Sequence, residues 1–387
     1  MMISTHRVLF NLVGEQPMPS LIPILQYRPE VAVFLYSHRT ASQVADVCAA
    51  LEGASGWGDV QCLKVRIDPA RFIRSAGVIH QVLGDYPGSQ CLFNLSGGTK
   101  LMALSLYRAA QGRGDVLYVS ADDECILRLQ PEAIVEEPIA VQVSAALYLR
   151  AHGAGIDPAR SLDVASLPPS RFEVARHLAD RALDLEGWRK ALGQRRKVHP
   201  PARYPVRVSL PSPLPAEEAI VDLLAQRGLV TRSKRGASFL VESHDAWLFL
   251  DGGWLELYAF DVARGMGLFH DCRVHVGIAH PELGQNELDL IAVRGTVATI
   301  CSCKTGRAPK GVAKVRLLDE LEARASALGA FCGKLLVVSQ PRRAYGDSFF
   351  QRAAQMGIEV VAGEDLPRLG EMLERASRGK GKRPRGT

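Results

Sequence analysis

No apolar run in this 387-residue sequence approaches the ~20 residues needed to cross a bilayer, so no membrane span is expected. The opening segment, from Met1 to Pro17, is interrupted by His6, Arg7 and Glu15, too short and too polar for a secretory leader. A cytoplasmic location is expected. Cysteine is present but unorganised, with eight residues, no CxxC pair and no zinc-like spacing. Cys301 and Cys303 are the one close pair. Strand alternation is expected to point them apart, unable to bond or share an ion, so reduced buried thiols follow. Charge of one sign is also scarce. Arg375, Arg378, Lys380, Lys382, Arg383 and Arg385, in a tail without acids, account for the whole net charge of +6. Such a tail reads as solvated and disordered, and charge alone indicates no nucleic-acid partner.

What is there divides in four. Over 1–140, RVLFNL (7–12), VAVFLY (31–36), VQCLKVRI (60–67), a strand at 90–94, DVLYVS (115–120) and CILRLQ (125–130) alternate with helical patterns at 40–52, 69–84 and 99–111. Apolar strands separated by helices predict a mostly parallel, doubly wound α/β sheet. Residues 141–212 carry helical stretches around 141–151 and 170–192. A stretch crowded with Pro200, Pro201, Pro205, Pro211, Pro213 and Pro215 follows and reads as a connector. Residues 213–374 return to α/β, opening with a helix and hairpin (217–243) that resemble a small winged-helix piece. Helices near 253–265, 311–328 and 347–356 alternate there with strands at 268–279, 286–294, 297–303, 333–339 and 358–363. The basic tail, 375–387, closes the chain.

Two places carry chemistry. The first is Ser96-Gly97-Gly98-Thr99-Lys100, between a strand and a helix. Glycines admit close backbone approach, and the helix N-terminus offers N–H groups to an anion. The spacing matches neither a dinucleotide fingerprint nor a P-loop. The second is the predicted hairpin in which Asp289 faces Ser302 and Lys304, since residues two apart share a strand face. An acid and a lysine there form either a salt bridge or a site for Mg²⁺ or Mn²⁺ on a phosphodiester, with the lysine activating water.

The run Asn94 to Met102 and the loop Leu12 to Pro19 resemble the ligand loops of CARF domains, the CRISPR-associated Rossmann-like sensors. That resemblance implies a homodimer binding a cyclic oligoadenylate, cyclic tetra-adenylate in the first instance, through Gln16, Pro17, Ser96, Gly97, Gly98, Thr99 and Lys100. Ser37 and His38, at the same sheet edge, are weaker candidates. The segment Asp251 to Glu256, the hairpin, and Gly333 to Ser339 resemble the PD-(D/E)XK nuclease domain that follows CARF domains in type III CRISPR effectors. This implies an endonuclease of antiviral defence acting on DNA, by cutting single strands or nicking duplex, with RNA as a further substrate. The same resemblance implies that Glu256, Asp289 and Lys304, with Ser302 beside them, form its catalytic set, and that Glu256, Asp289 and the Cys303 carbonyl hold its metal. Ser302 stands where the family pattern has an acid. Either water fills the gap, or Asp319 or Glu320 reaches in, or the domain is a degenerate one and the protein a sensor that acts by binding nucleic acid or a partner. Glu287 is expected to point away from Asp289, outside the metal set. The basic stretches Arg189–Lys197 and Arg232–Arg235 are candidate surfaces for a nucleic-acid backbone.

Overall fold

β1 (Arg7–Leu12), β2 (Val31–Tyr36), β3 (Gln61–Arg66), β4 (Gln90–Asn94) and β5 (Gly114–Ser120) pair in parallel, as their unbroken apolar character requires. β6 (Cys125–Leu129) and β7 (Ile134–Pro138) extend the sheet antiparallel, in the order β3-β2-β1-β4-β5-β6-β7. α1 (Met18–Tyr27), α2 (Ala41–Glu52), α3 (Phe72–Gly84) and α4 (Lys100–Ala110) make the crossovers. Strand order reverses between β1 and β4, which puts the loops after both strands at the switch point where open α/β sheets bind ligands. The computed structural model describes residues 7–54, 59–120, 123–130, 132–196, 204–210, 212–233, 238–309, 311–329 and 332–378. Residues 379–387 of the basic tail, Lys197, Lys234, Arg235, Pro200, Pro201 and Pro211 lie outside them.

The connector is more structured than its prolines suggest. After α5 (Ala145–Ala151), β8 (Gly155–Asp157) joins the second large sheet by pairing with β12 (Asp271–His280). The stretch expected as one helix is two, α6 (Pro169–Asp180) and α7 (Glu186–Arg196), separated by a 3₁₀ turn. β9 (Val206–Ser209), from the proline-rich segment, completes a three-stranded antiparallel sheet with β10 (Val230–Arg232) and β11 (Ser238–Val241). α8 (Pro215–Gln226) packs against it, with Glu217 buried and accepting from the Trp188 and Leu214 N–H groups.

After α9 (His244–Leu248) and a π-turn over 249–253, α10 (Trp254–Gly265) buries Leu255, Ala259 and Phe260 against the second sheet. That sheet has the order β16-β15-β14-β13-β12-β8. Its central hairpin is β13 (Gly284–Arg294) and β14 (Val297–Lys304). α11 (Val312–Ala327), β15 (Gly333–Val338), α12 (Asp347–Gln355), β16 (Glu359–Val361) and α13 (Leu369–Ser377) follow. Cys301 and Cys303 do not point apart. Residues two apart on a strand return to the same face, and their Sγ atoms lie 3.9 Å apart in the core, as free thiols. The α1 helix also escaped the sequence pattern, because Pro19 and Pro23 sit within it. Among the described residues no helix is long and apolar enough to cross a membrane.

Candidate functional sites

The first site sits at the β1–β4 switch point. Gly97 lies so close to the loop after β1 that an added Cβ would come within 2.2 Å of the Leu12 carbonyl oxygen. Gly98 has φ +70°, a conformation side chains resist. Beneath the turn runs a buried amide network. Asn94 Nδ2 donates to Asn11 Oδ1 (2.6 Å) and to the Pro19 carbonyl (2.9 Å), and Asn11 Nδ2 donates to the Ser20 carbonyl (2.7 Å). Ser96 Oγ donates to Asn94 Oδ1 (2.5 Å) and accepts from the Val119 N–H (2.7 Å). Both asparagines are fully buried, so these bonds lock the two loops together at high cost if broken.

Above the network lies a cavity of about 450 Å³. Gln16, Ser37, Ser96, Gly97, Gly98 and Thr99 line it, together with Arg39, which the sequence did not single out. Thr99 is the N-cap of α4, accepting from the Met102 N–H. Pro17, His38 and Lys100 are not in the lining. Ser37 caps the short 3₁₀ turn that follows β2, and that turn leaves His38 exposed and brings Arg39 to the cavity.

The second site forms where a ladder fails on both sides of one residue. β13 pairs with β14 only as far as Leu290↔Cys301, and on its other edge the pairing with β12 jumps from Val274↔Leu290 to Val276↔Leu288. His275 fills the skipped position with φ +50°, and its carbonyl accepts from the Leu162 N–H instead. Side-chain alternation breaks there too, since Val274 and Leu290 pack into one core and Val276 and Leu288 into the other. Asp289 sits in this gap, 6 % exposed, and replaces the missing ladder partner. Its Oδ2 accepts from the Cys303 N–H (2.6 Å), the Ser302 hydroxyl (3.1 Å) and the Lys304 ammonium (3.3 Å). The Lys304 side chain remains about one-third exposed, at 35 %.

Across from this cluster, His275 Nδ1 lies 3.1 Å from Glu256 Oε2 and 3.2 Å from Glu287 Oε1. The ligand atoms of these three residues all lie within 4.8 Å of one another. They share a cavity of about 370 Å³ with Gly252, Gly253 and Asp251. Burial pushes the Glu256 carboxyl up, which His275 only partly offsets. The hydrogen bond to Glu256, with the nearby Glu287 charge, raises the His275 imidazole despite its burial.

The structure therefore brings Asp289, Ser302 and Lys304 together, and it places Glu256 with His275 and Glu287 while keeping it close enough to Asp289 for that charge to raise its carboxyl further. Cys303 meets Asp289 through its N–H. Glu287, expected outside the set, lies 3.2 Å from the same imidazole nitrogen as Glu256; it is two residues from Asp289, and residues two apart on a strand share a face, so the expectation had the alternation the wrong way round. Neither acid of α11 reaches in: Asp319 pairs with Arg352 and Glu320 is exposed. His275 was missed entirely, since a single histidine in an apolar strand carries no local signal.

Both halves of the chain match known domain families. Residues 8–148 match the family model of the Card1 CARF domain, and residues 243–379 match that of the Card1-like endonuclease domain. Among solved structures, Can2 from Sulfobacillus thermosulfidooxidans, in complex with cyclic tetra-adenylate, is 18 % identical with a TM-score of 0.76, covering 96 % of this chain and 99 % of that one. Protein VC1899 from Vibrio cholerae is also 18 % identical, with a TM-score of 0.80 over 97 % and 99 % of the two chains. A type III CRISPR defence DNA nuclease activated by cyclic oligoadenylate is 17 % identical, with a TM-score of 0.54 over 86 % of this chain and 45 % of that one. At these identities the likeness is one of fold. No curated protein matches the chain in sequence.

Proposed function

The chain belongs with the proteins that join a Card1 CARF domain to a Card1-like endonuclease domain, and we propose on that premise that it is a metal-dependent endonuclease switched on by a cyclic oligoadenylate. The observation that carries this reading is the acid and ammonium pair at 289 and 304, held at a splayed hairpin beside Glu256, His275 and Glu287. Two carboxylates and an imidazole fit a divalent cation. The nitrogen donor favours Mn²⁺ over Mg²⁺, which prefers oxygen alone. When bound, the ion would polarise the scissile phosphate and lower the pKa of a water.

The chain's own residues do the rest. Lys304, tethered at its ammonium by Asp289, orients the attacking water and neutralises charge developing on the phosphate. Ser302 donates to Asp289 and so fixes that carboxylate, which makes it a positioning residue here. His275 holds Glu256 and Glu287 at a common point. The substrate is DNA, single-stranded or nicked as duplex, with RNA as a second substrate.

The activator is cyclic tetra-adenylate, held over the Gly97–Gly98 turn. A homodimer would present two such turns, and Ile73, Leu101, Leu104 and Tyr107, exposed on the packed helices α3 and α4, supply apolar area for a second copy. Coupling has a short route. A cavity of about 40 Å³ separates Gln16, Met18 and Pro19 of the ligand loop from Thr296 and Val297 at the turn of the catalytic hairpin, and the Val143 N–H bonds the Gly295 carbonyl there. The ligand activates only by binding the active arrangement more tightly than the resting one.

A cleavage assay with Mn²⁺ or Mg²⁺, with and without cyclic tetra-adenylate, tests the reading. Cutting that requires both ligand and metal supports it. No cutting under any condition, with ligand binding intact, would leave the protein a sensor whose nuclease domain is inactive.

A further inference from the structure

A further cavity, of about 380 Å³, opens on the other side of the turn that carries Asp251. Asp251 lines both this cavity and the one holding Glu256, His275 and Glu287. Its other walls are Trp188, Arg189, Lys190, Trp254, Thr305 and Arg307. Thr305 directly follows Lys304, and its hydroxyl donates to the Asp251 carbonyl at 2.7 Å, so this wall is fastened to the end of the catalytic strand.

The charge balance is one-sided. Three cations face one carboxylate, and among the described residues no carboxylate forms an ion pair with Arg189, Lys190 or Arg307. Arg189 donates through Nη1 to the Ala182 carbonyl, but its Nε is buried with no partner. Burial pulls the Arg189 guanidinium down, an effect that the nearby charges of Glu186 and Glu217 only partly offset. The apolar walls are rigid: Trp188 stacks on Phe239 with ring centroids 4.9 Å apart, and both tryptophans are nearly fully buried. A groove lined with cationic donors is what proteins use to track a single strand's phosphates, the buried tryptophans fix its walls, and the volume falls in the ~300–1,000 Å³ range of small-ligand sites.

We infer that this cavity is a nucleotide subsite for the substrate strand, in which Arg189, Lys190 and Arg307 grip a phosphate next to the linkage presented at Lys304. The inference rests on the endonuclease reading and adds a place where the strand is held apart from where it is cut. It also gives a role to the start of the basic stretch on α7, which the catalytic site leaves unused.

The test is the double variant Lys190→Ala/Arg307→Ala in the full-length protein. Both side chains carry no ion pair, so the fold should be kept, and a thermal melt checks that. Anisotropy of a fluorescein-labelled single-stranded oligodeoxynucleotide, with an RNA of the same sequence as a second arm, reads affinity in EDTA across a salt series. Two lost phosphate contacts predict a Kd at least ~10-fold weaker and a log–log salt slope shallower by ~1.4, at ~0.7 per contact on single strands. Cleavage in Mn²⁺ should show a raised KM with kcat nearly unchanged. Wild-type affinity, slope and KM in the double variant, while the parent protein binds and cuts, would overturn the subsite and leave the endonuclease standing. A parent protein that neither binds nor cuts the oligonucleotides would overturn both.

Discussion

The two sites are built in opposite ways. The ligand pocket uses loops at the ends of regular strands. β1 and β4 keep unbroken register as far as Asn11↔Asn94, and the pocket's parts are contiguous runs after each strand. The nuclease site uses irregularity: Asp289 lies where pairing stops on one edge and is skipped on the other, and its carboxylate occupies the gap. A buried network organises both, but one is built on neutral amides and a hydroxyl, and the other on a single carboxylate that accepts from a backbone N–H, a hydroxyl and an ammonium. A site that follows the sheet can be changed at its turn without touching its frame, while a site made from a broken ladder has no such separation.

Breaking the nuclease half should give the largest effects. Asp289→Asn and Lys304→Ala should each lower cleavage by ~10²–10⁴-fold, the range for lost acid–base and charge-stabilising groups, with cyclic tetra-adenylate affinity unchanged. Full activity in either would end the assignment. On the other side, Gly97→Ala forces a Cβ into the Leu12 carbonyl. A strain of ~1–3 kcal/mol should weaken ligand binding by ~10–100-fold and leave the metal site intact. Calorimetric titration would show whether the two halves separate in this way.

Smaller changes sharpen the contrast. Glu287→Gln should weaken Mn²⁺ binding by ~10–100-fold, and equal affinity would remove Glu287 from the set. Asn94→Ala orphans buried partners on Asn11, Ser96 and the Pro19 carbonyl, so urea unfolding should register a loss of ~1–3 kcal/mol. Finally, the metal-free His275 imidazole should titrate above its ordinary pKa of ~6.5, followed by NMR. A raised folded value means that its contact with Glu256 stabilises the protein fully below the unfolded pKa, and that this contribution fades as pH rises through the folded one. Glu256→Gln should lower the midpoint; an unmoved midpoint would show that the hydrogen bond is not its cause.

The same contrast explains what the sequence disclosed. The strands at 7–12 and 31–36 were readable to the residue because a parallel strand buried on both faces is apolar throughout. The pocket residues Ser96 to Thr99 were readable because the turn is local. Arg39 was missed for His38 because a capped 3₁₀ turn, one residue long in its consequence, decides which side chain faces in. At the hairpin, pairing rules brought Asp289 to Ser302 and Lys304. The same rules put Glu287, two residues before Asp289, on its face, and the expectation that it points away misapplied them; His275 they gave no role. The positive φ at His275 is a property of the assembled sheet, and histidine carries no sign of it. β8 escaped for the related reason that three residues from a connector acquire strand geometry only from their partner.

The central claim is that Glu256, His275 and Glu287 gather a cation beside the tethered Lys304. Anomalous diffraction from crystals soaked in Mn²⁺ tests it most directly. The account predicts one strong peak ~2.0–2.3 Å from the carboxylate oxygens of Glu256 and Glu287 and from His275 Nδ1. A peak elsewhere, or none with the three side chains still closed upon one another, would contradict it.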